Sequence, residues 1–366
     1  MVMMTESYFH RGGEEPLLGA TIPDHFADVV SRFASREAVV SLPQARRLTY
    51  RELSDEVDRV ACGLTGLGFK KGERVGIWST DNIEWLLVQM ATARIGAVLV
   101  NINPAYRPRE LAYVLEKAEI DGLILIPRFR KSDYVAMLLE CVPELKDVSA
   151  GESGIASKAF PHLRQVVIYD AAAPSETVAP APGFLTWADM IKAGESIDQE
   201  VIDAATLALD RDDPINIQFT SGTTGFPKAV VLTHHNILNN AYFAAKALRF
   251  TETDRLCVPV PFYHCFGMVL ANLLTLSVGA CLVIPSEHFD APAVLHAIDT
   301  ERCTAVHGVP TMFIAELEHP DFSRHDLSSL RTGIMAGAPC PEPLMQRVMK
   351  DMHCSEILIG YGETEA

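Results

Sequence analysis

The sequence has few basic residues for its length. Its 366 residues include 31 Lys and Arg against 47 Asp and Glu, which gives a net charge of −16 at pH 7. Binding to the phosphate backbone of nucleic acid depends on neutralisation by Lys and Arg. The charge balance therefore argues against DNA or RNA as a partner.

Long apolar runs and secretion signals are also missing. No uninterrupted apolar stretch reaches the roughly 18 residues that a transmembrane helix needs. Residues 1–10 lack a basic segment followed by an apolar one, so they do not have the form of a secretory signal peptide. Because 48% of the residues are hydrophobic, a large core can form, and we expect a globular cytoplasmic protein without a transmembrane segment.

The eight cysteines form neither a metal-binding nor a disulfide pattern. No two of them have C-x-x-C spacing, and several lie in apolar runs, where a thiol behaves as a small hydrophobic side chain. Cys265 and Cys354 each follow a histidine directly, but adjacent residues rarely serve one tetrahedral zinc site. We therefore interpret the cysteines as reduced and structural.

What the sequence does contain is a stretch rich in glycine and threonine after an apolar run. The stretch consists of Thr220, Ser221, Gly222, Thr223, Thr224, Gly225, Phe226, Pro227 and Lys228. Its glycines permit a tight turn that brings backbone N–H groups close to an anion, the hydroxyl side chains add donors, and Lys228 adds a positive charge. We interpret it as a phosphate loop, although a bare G-x-x-G also suits a surface turn after a strand.

This loop differs from that of the P-loop NTPases. In their motif, G-x-x-x-x-G-K-[ST], the residue after the lysine holds Mg²⁺ through its hydroxyl group. Here Ala229 follows Lys228, and the glycine spacing is different. The loop can therefore hold polyphosphate, but a carboxylate from elsewhere in the chain must hold the metal ion.

Strand-like and helix-like segments alternate along most of the chain. Apolar strand runs such as 74–78 are followed by helical segments such as 82–94, and a second alternation begins after the phosphate loop with a helix near Thr233. Strands separated by helices of this length predict βαβ units in largely parallel sheets.

Three further clusters lie downstream of the phosphate loop. They are Pro261–Gly267 (PFYHCFG), Ala336–Pro339 (AGAP) and Gly360–Glu365 (GYGETE). In order and separation they resemble the motifs of the adenylate-forming superfamily. With the flanking residues 101–106 and 308–313, the chain is most similar to medium-chain fatty-acyl-CoA synthetases from about Thr21 to its last residue.

The resemblance implies an α/β fold with two stacked α/β subdomains in a five-layered αβαβα core. The chain 1–366 would be a truncated N-terminal large domain, with approximate subdomains 69–210 and 21–68 plus 211–366, and with 21–68 packing on the second half. Family members continue into a mobile C-terminal domain that carries a catalytic lysine, and this sequence does not include it. We therefore expect the chain to form acyl-CoA very slowly or not at all and to self-associate, for example as a homodimer.

The resemblance also implies ATP-dependent activation of a carboxylic acid, a fatty acid in this branch. The products would be an acyl-adenylate and pyrophosphate, and the full-length parent would then transfer the acyl group to coenzyme A. ATP, Mg²⁺ and coenzyme A are the small molecules that this activity requires. Two alternatives stay open: an adenylating enzyme that loads a carrier protein, and a non-catalytic fragment that binds ATP or an acyl group.

The matching family positions imply roles for individual residues. The phosphate loop, with Lys228, would hold the β- and γ-phosphates, Thr364 would contact the α-phosphate, and Glu365 would be the Mg²⁺ ligand. His264 would lie between the nucleotide and the acyl carboxylate, although a lone histidine beside aromatic residues is more often part of a core.

Adenine and acyl sites are implied in the same way. The adenine would lie against Gly337, Ala338 and Pro339 and against the ring of Tyr361, next to Gly362. Taken alone, a Gly-Ala-Pro segment is usually a turn and a tyrosine after a strand is usually half-buried packing. The acyl channel would be lined by residues that flank the motifs: Phe266, Val309, Met312 and Met335.

Overall fold

The computed structural model describes residues 15–148, 154–171, 182–220 and 227–365. In these residues the strands form two seven-stranded sheets and one short hairpin, β6 (Arg128–Phe129) with β7 (Ser132–Asp133). Sheet 1 has the spatial order β11 (Lys228–Thr233), β10 (Pro214–Thr220), β4 (Val98–Asn101), β3 (Arg74–Trp78), β5 (Gly122–Leu125), β8 (Gln165–Ile168) and β9 (Leu185–Thr186). Sheet 2 has the order β16 (Glu356–Ile359), β15 (Thr332–Met335), β14 (Ala305–Gly308), β12 (Arg255–Cys257), β13 (Cys281–Ile284), β1 (Glu37–Ser41) and β2 (Arg46–Thr49).

Thirteen α-helices connect and cover these strands within the described ranges. They are α1 (Ile22–Phe33), α2 (Tyr50–Gly66), α3 (Ile83–Ile95), α4 (Pro108–Lys117), α5 (Tyr134–Cys141), α6 (Trp187–Ala193), α7 (Gln199–Leu207), α8 (His234–Ala247), α9 (Cys265–Gly267), α10 (Leu274–Val278), α11 (Ala291–Glu301), α12 (Pro310–Leu317) and α13 (Glu342–Asp351). None of the described helices is long and apolar enough to cross a membrane.

The predicted α/β class with largely parallel sheets is confirmed. Every neighbouring pair of strands in the two sheets is parallel except β10 with β11 and β1 with β2. Helices α1, α2, α3, α8 and α10 pack against one another between the sheets, and α11, α12 and α13 cover the other face of sheet 2. The segments that follow β12, β14 and β15 therefore leave largely buried strands.

The helix predicted near Thr233 is confirmed as α8, which begins at His234 with Thr233 as its N-cap. The strand before it, β11, was not predicted; its apolar run from Ala229 to Leu232 pairs with β10. The sheets also divide the chain differently from the approximate subdomains. Both β10 and β11 lie in sheet 1, so sheet 1 includes residues up to 233 and does not end near residue 210. Residues 21–68 are also divided, because β1 and β2 join sheet 2 whereas α2 packs on α3 and α6.

Helix α3 lies at the centre of the molecule. Twelve of its thirteen residues are buried, and apolar side chains surround it on all sides, as expected for a helix between two sheets. Its ends are defined by the sequence: the side chain of Asn82 accepts a hydrogen bond from the N–H of Trp85, and Gly96 ends the helix with φ of 73°. The helix thus holds the two sheets in a fixed relation.

A second central helix runs from Cys265 to Val278 and contains a π-helical segment, Met268–Leu273. Histidine 307, on β14, is fully buried beneath it and contacts the Leu270 carbonyl oxygen through Nε2 at 2.9 Å. Its Nδ1 accepts a hydrogen bond from the N–H of Ile334, and burial lowers its pKa to about 4. The neutral imidazole therefore joins this helix to β14 and β15.

The core between sheet 2 and its outer helices contains a buried acid on α12. Glu316, on α12, is 1% exposed, and its Oε2 has no hydrogen-bond partner among the described residues. Burial raises its pKa from 4.5 to about 8. An unpaired carboxylate in this position would be costly, so the group stays protonated near neutral pH.

We predict that Glu316→Gln removes a pH dependence of stability. Between pH 4.5 and about pH 8 the folded chain holds one proton more at this site than the unfolded chain, so the free energy of unfolding falls as the pH rises. The glutamine variant should therefore gain stability relative to the parent from pH 5 to pH 8, by on the order of 1 kcal/mol per pH unit, in urea unfolding. Glu318→Gln, at an exposed position, is the control, and parallel curves for Glu316→Gln and its parent would contradict the prediction.

Candidate active site

The sequence clusters predicted to act together meet at one edge of sheet 2. The parallel strands β12, β14, β15 and β16 end there. The three downstream clusters follow β12, β15 and β16, and the flanking residues 308–313 follow β14. The crevice beyond the carboxyl ends of parallel strands is the usual ligand site of open α/β sheets. Four segments that are distant in sequence therefore face one cleft.

The loop that carries His264, residues 258–264, is anchored to sheet 1. The carboxyl group of Asp81 accepts a hydrogen bond of 2.8 Å from the N–H of Phe262, and Asn101 Nδ2 donates to the carbonyl oxygen of Tyr263 at 3.1 Å. Asp81 is 4% exposed, and burial raises its pKa well above the usual range. These contacts fix the position of the His264 loop between the two sheets.

The two ends of the phosphate loop meet the end of the chain. Glu365 Oε1 lies 3.7 Å from Lys228 Nζ and accepts a hydrogen bond of 3.4 Å from Thr220 Oγ1. Tyr113, on α4, donates a hydrogen bond to the carbonyl oxygen of Pro227 at 3.0 Å. The structure thus brings Thr220, Lys228 and Glu365 together, whereas Ser221, Gly222, Thr223, Thr224 and Gly225 lie outside the described residues.

His264 and Thr364 meet at the thiol of Cys265. His264 Nδ1 lies 3.6 Å from Cys265 Sγ, and Thr364 Oγ1 donates to the same sulfur at 3.5 Å. His264 follows a loop and not a strand directly, since β12 ends at Cys257, and it caps the helix that starts at Cys265. The hydrogen bond with Cys265 raises the pKa of His264 in spite of burial, which acts in the opposite direction.

The residues expected to hold adenine lie on neighbouring strand ends. Gly337, Ala338 and Pro339 follow β15 as an exposed segment, and Gly337 has φ of 81°, a backbone conformation that favours glycine. Tyr361 and Gly362 follow β16, and Tyr361 is 94% exposed. An exposed ring beside a bare backbone segment can offer a flat apolar surface to a purine.

Two of the four expected acyl-channel residues are part of the core. Met335 is completely buried in the core beneath α11–α13, and Phe266 is 7% exposed and stacked on His307 with ring centroids 5.6 Å apart. Val309 and Met312 are only partly buried, and Val309 borders Gly337. Val309 and Met312 are therefore the better candidates to contact a ligand.

The donor set fits a nucleotide-bound Mg²⁺. No group of three or more His, Cys, Asp or Glu side chains in the described ranges could hold a metal ion by itself. Mg²⁺ in nucleotide sites is usually bound by one or two carboxylates, substrate phosphates and waters, so Glu365 alone is compatible with such a site.

Several site residues were not expected from the sequence. Asp81 and Asn101 act from sheet 1 on a loop more than 160 residues away, and no local pattern indicates that contact. Cys265 was interpreted from the sequence as a structural cysteine. Its position directly after His264 is the sequence feature that could have indicated a place in the site.

Comparison with known proteins identifies the family. Residues 26–366 match the family described as AMP-binding enzyme. The chain belongs to the AMP-binding enzyme family. YngI of Bacillus subtilis (strain 168) is 41% identical to this AMP-binding domain over 350 residues, which are 96% of the chain and 62% of YngI. Medium-chain acyl-CoA ligase ACSF2, mitochondrial, of Danio rerio is 39% identical over 364 residues, 99% of the chain and 58% of ACSF2.

Solved structures agree with this assignment. The anthranilate CoA ligase AuaEII in complex with anthranoyl-AMP has a TM-score of 0.76 and 26% identity, covering 95% of the AMP-binding domain and 61% of that chain. The N-terminal domain of FACL13 from Mycobacterium tuberculosis has a TM-score of 0.72 at 23% identity, covering 94% of this chain and 76% of that one, and shares the fold. The chain spans about three fifths of the length of its curated relatives.

We predict that Gly267→Ala displaces the His264 loop. A Cβ at residue 267 would lie 2.6 Å from the carbonyl carbon of Pro261 and 2.9 Å from Phe262 Cα, which are backbone atoms that cannot move aside separately. The free energy of unfolding should fall by about 1–3 kcal/mol in urea titrations. Gly362→Ala is the control, since an added Cβ there has no neighbour within 4 Å, and equal losses in both variants would contradict the prediction.

Proposed function

We propose that this chain is the nucleotide- and acid-binding part of an enzyme that activates a medium-chain fatty acid with ATP. A carboxylate oxygen of the acid attacks the α-phosphorus, the bond to the β-phosphate oxygen breaks, and pyrophosphate leaves. The acyl-adenylate then gives its acyl group to coenzyme A in the full-length protein. The observation that carries the proposal is the convergence of Thr220, Lys228, His264, Thr364 and Glu365 on one cleft.

The charges at the phosphate-loop ends support binding of polyphosphate. Lys228 Nζ is close to Glu365 Oε1 but half-exposed, so it can turn towards an anion in the cleft. Glu365 would then exchange its contact with Lys228 for a Mg²⁺ ion bound to the phosphates. That ion supplies charge neutralisation of the triphosphate.

His264 and Thr364 suit the reacting centre. His264 Nδ1 and Thr364 Oγ1 are both within 4 Å of Cys265 Sγ, so the two side chains lie close to one another. We assign Thr364 to the α-phosphate and His264 to the acyl carboxylate. Oriented donors at these atoms stabilise the charge that develops during transfer.

The remaining expectations belong to the same proposal. We propose residues 1–366 as the N-terminal large domain of the parent, a homodimer as its state in solution, and the cytoplasm as its location. ACSF2 of Danio rerio is named as mitochondrial, so fractionation of cells that express the full protein is the relevant measurement.

Pyrophosphate exchange tests the reaction class. With labelled pyrophosphate and ATP, we expect slow exchange that a medium-chain fatty acid stimulates and that aryl and amino acids do not. Stimulation by an amino acid would favour carrier-protein loading. No exchange, together with equal affinity for AMP and for a non-reactive acyl-adenylate analogue in calorimetry, would favour a non-catalytic fragment.

We predict that Lys228→Ala weakens ATP binding by about tenfold or more and AMP binding by less than about threefold. The reason is that a charge-assisted contact to the β- or γ-phosphate is lost while the α-phosphate contacts remain. Isothermal calorimetry with Mg²⁺ measures both affinities. Lys350→Ala, at the far end of α13, is the control, and equal losses for ATP and AMP would refute the assignment.

A companion variant, Glu365→Gln, separates the metal from the lysine. It should abolish the Mg²⁺ dependence of ATP binding and leave AMP binding unchanged, whereas Glu363→Gln should change neither. Mg²⁺ dependence that persists in Glu365→Gln would mean that another acid binds the ion.

A further inference from the structure

Tyr113, on α4, contacts both strands that flank the phosphate loop. Its hydroxyl group donates to the carbonyl oxygen of Pro227 at 3.0 Å, although the two residues are 114 positions apart in the sequence. Its ring packs edge to face on the ring of Phe219, with centroids 6.2 Å apart and an interplanar angle of 73°. Phe219 is the next-to-last residue of β10, and Pro227 directly precedes β11. One side chain therefore reaches both β10 and the start of β11.

The start of β11 has little other support from the sheet. β11 is the outermost strand of sheet 1, and among the described strands it pairs with β10 alone, where Lys228 is opposite Thr220. The end of a strand that is paired on one side opens more easily than a central strand. The side chain of Lys228 is 58% exposed, so the place of its ammonium group depends on where the backbone begins.

The hydrogen bond at Pro227 orients the backbone of Lys228. The ring of Pro227 restricts its own φ, and the peptide bond that follows is planar. A contact at the Pro227 carbonyl oxygen therefore orients the whole plane that contains the nitrogen and Cα of Lys228. Pro227 is only partly buried, so water could satisfy its carbonyl oxygen equally well. What the hydroxyl of Tyr113 adds is a defined position.

Helix α4 is a firm support for this contact. Leu111, Val114 and Leu115 are buried and hold the helix against the body of the chain. At its first turn, the carboxyl group of Glu110 accepts a hydrogen bond of 3.1 Å from the N–H of Arg107. A side chain on a packed helix positions its partners more precisely than one on a loop.

We propose that Tyr113 is a positioning residue for Lys228. This inference rests on the proposed function, in which Lys228 holds the β- and γ-phosphates. Tyr113 acts through Pro227 and Phe219, and its effect is therefore confined to nucleotides that carry phosphates beyond the α-phosphate. It thereby increases the preference of the cleft for ATP over AMP.

Calorimetry with ATP and AMP tests this preference. Tyr113→Phe keeps the ring and removes the hydroxyl group, so we expect ATP affinity to fall about fivefold, as for the loss of one neutral hydrogen bond, and AMP affinity to change by less than about twofold. Tyr113→Leu also removes the ring contact and should weaken ATP binding further, to about the tenfold loss expected for Lys228→Ala. An unchanged ATP affinity in Tyr113→Phe, or equal losses for ATP and AMP, would overturn the proposal.

Tyr134 provides a matched control within the chain. Its hydroxyl group, on α5, donates to the carbonyl oxygen of Pro104 at 2.6 Å, so it makes the same type of contact away from β10 and β11. Tyr134→Phe should leave the ratio of ATP to AMP affinity unchanged. A shift of that ratio equal to the shift in Tyr113→Phe would mean that a general loss of stability is responsible, and the positioning role would be refuted.

A double variant tests whether Tyr113 acts through Lys228. In a Lys228→Ala background the ammonium group is absent, so adding Tyr113→Phe should change ATP affinity by less than about twofold. A further loss as large as that in the parent would show that Tyr113 acts by another route, which contradicts the proposal.

Hydrogen exchange tests the positioning without a nucleotide. In peptides that span β11, the amide hydrogens at the start of the strand should exchange about fivefold faster in Tyr113→Phe than in the parent, and at the parent's rate in Tyr134→Phe. Equal rates in Tyr113→Phe and the parent would overturn the proposal. A parent that binds neither ATP nor AMP would refute the proposed function, while the exchange rates would still decide whether Tyr113 holds the start of β11.

Discussion

The site depends on the fixed relation between two parallel sheets whose functional loops meet in one cleft. The buried carboxyl group of Asp81 and the amide of Asn101 hold the His264 loop from sheet 1, although the loop itself follows a strand of sheet 2. A buried polar group is costly unless it is hydrogen-bonded, so these contacts favour one position of the loop strongly. Every distance described for His264, Cys265 and Thr364 depends on that position.

A buried polar network continues the same constraint into the core. Gln89 on α3 donates to the Met268 carbonyl oxygen at 3.3 Å and accepts a hydrogen bond from Asn272 at 3.0 Å. Asn216 on β10 donates to Asn101 at 2.9 Å. Apolar packing alone would tolerate sliding of one helix on another, whereas this network specifies a register between α3, the Cys265–Val278 helix and sheet 1.

Local order was predictable from the sequence, and long-range pairing was not. The alternation of apolar runs located β3 and α3 within a residue, because periodicity is a local property. The strand β11 was not predicted, although Val230 and Val231 favour a strand. The phosphate loop lies between β11 and its partner β10, and the loop motif determined how this part of the sequence was interpreted. The resemblance to the family motifs indicated that Lys228, Thr364 and Glu365 share a site. The contact of Thr364 with Cys265 was not predictable, because 99 residues separate them and only the fold brings them together.

The π-helical segment Met268–Leu273 has a consequence for how this region can change length. Between Met268 and Leu273 the wider turn fits more residues into the same rise than an α-helix would. The Leu270 carbonyl oxygen is bound by the buried imidazole of His307, so the extra length is kept in place from below. A chain shortened by one residue here could close into a regular α-helix while Gly279 and His264 stay in place, so the side chains on both sides of the segment would keep their directions. This segment is thus a place where the chain can lose one residue and keep both the fold and the orientation of the residues that flank it.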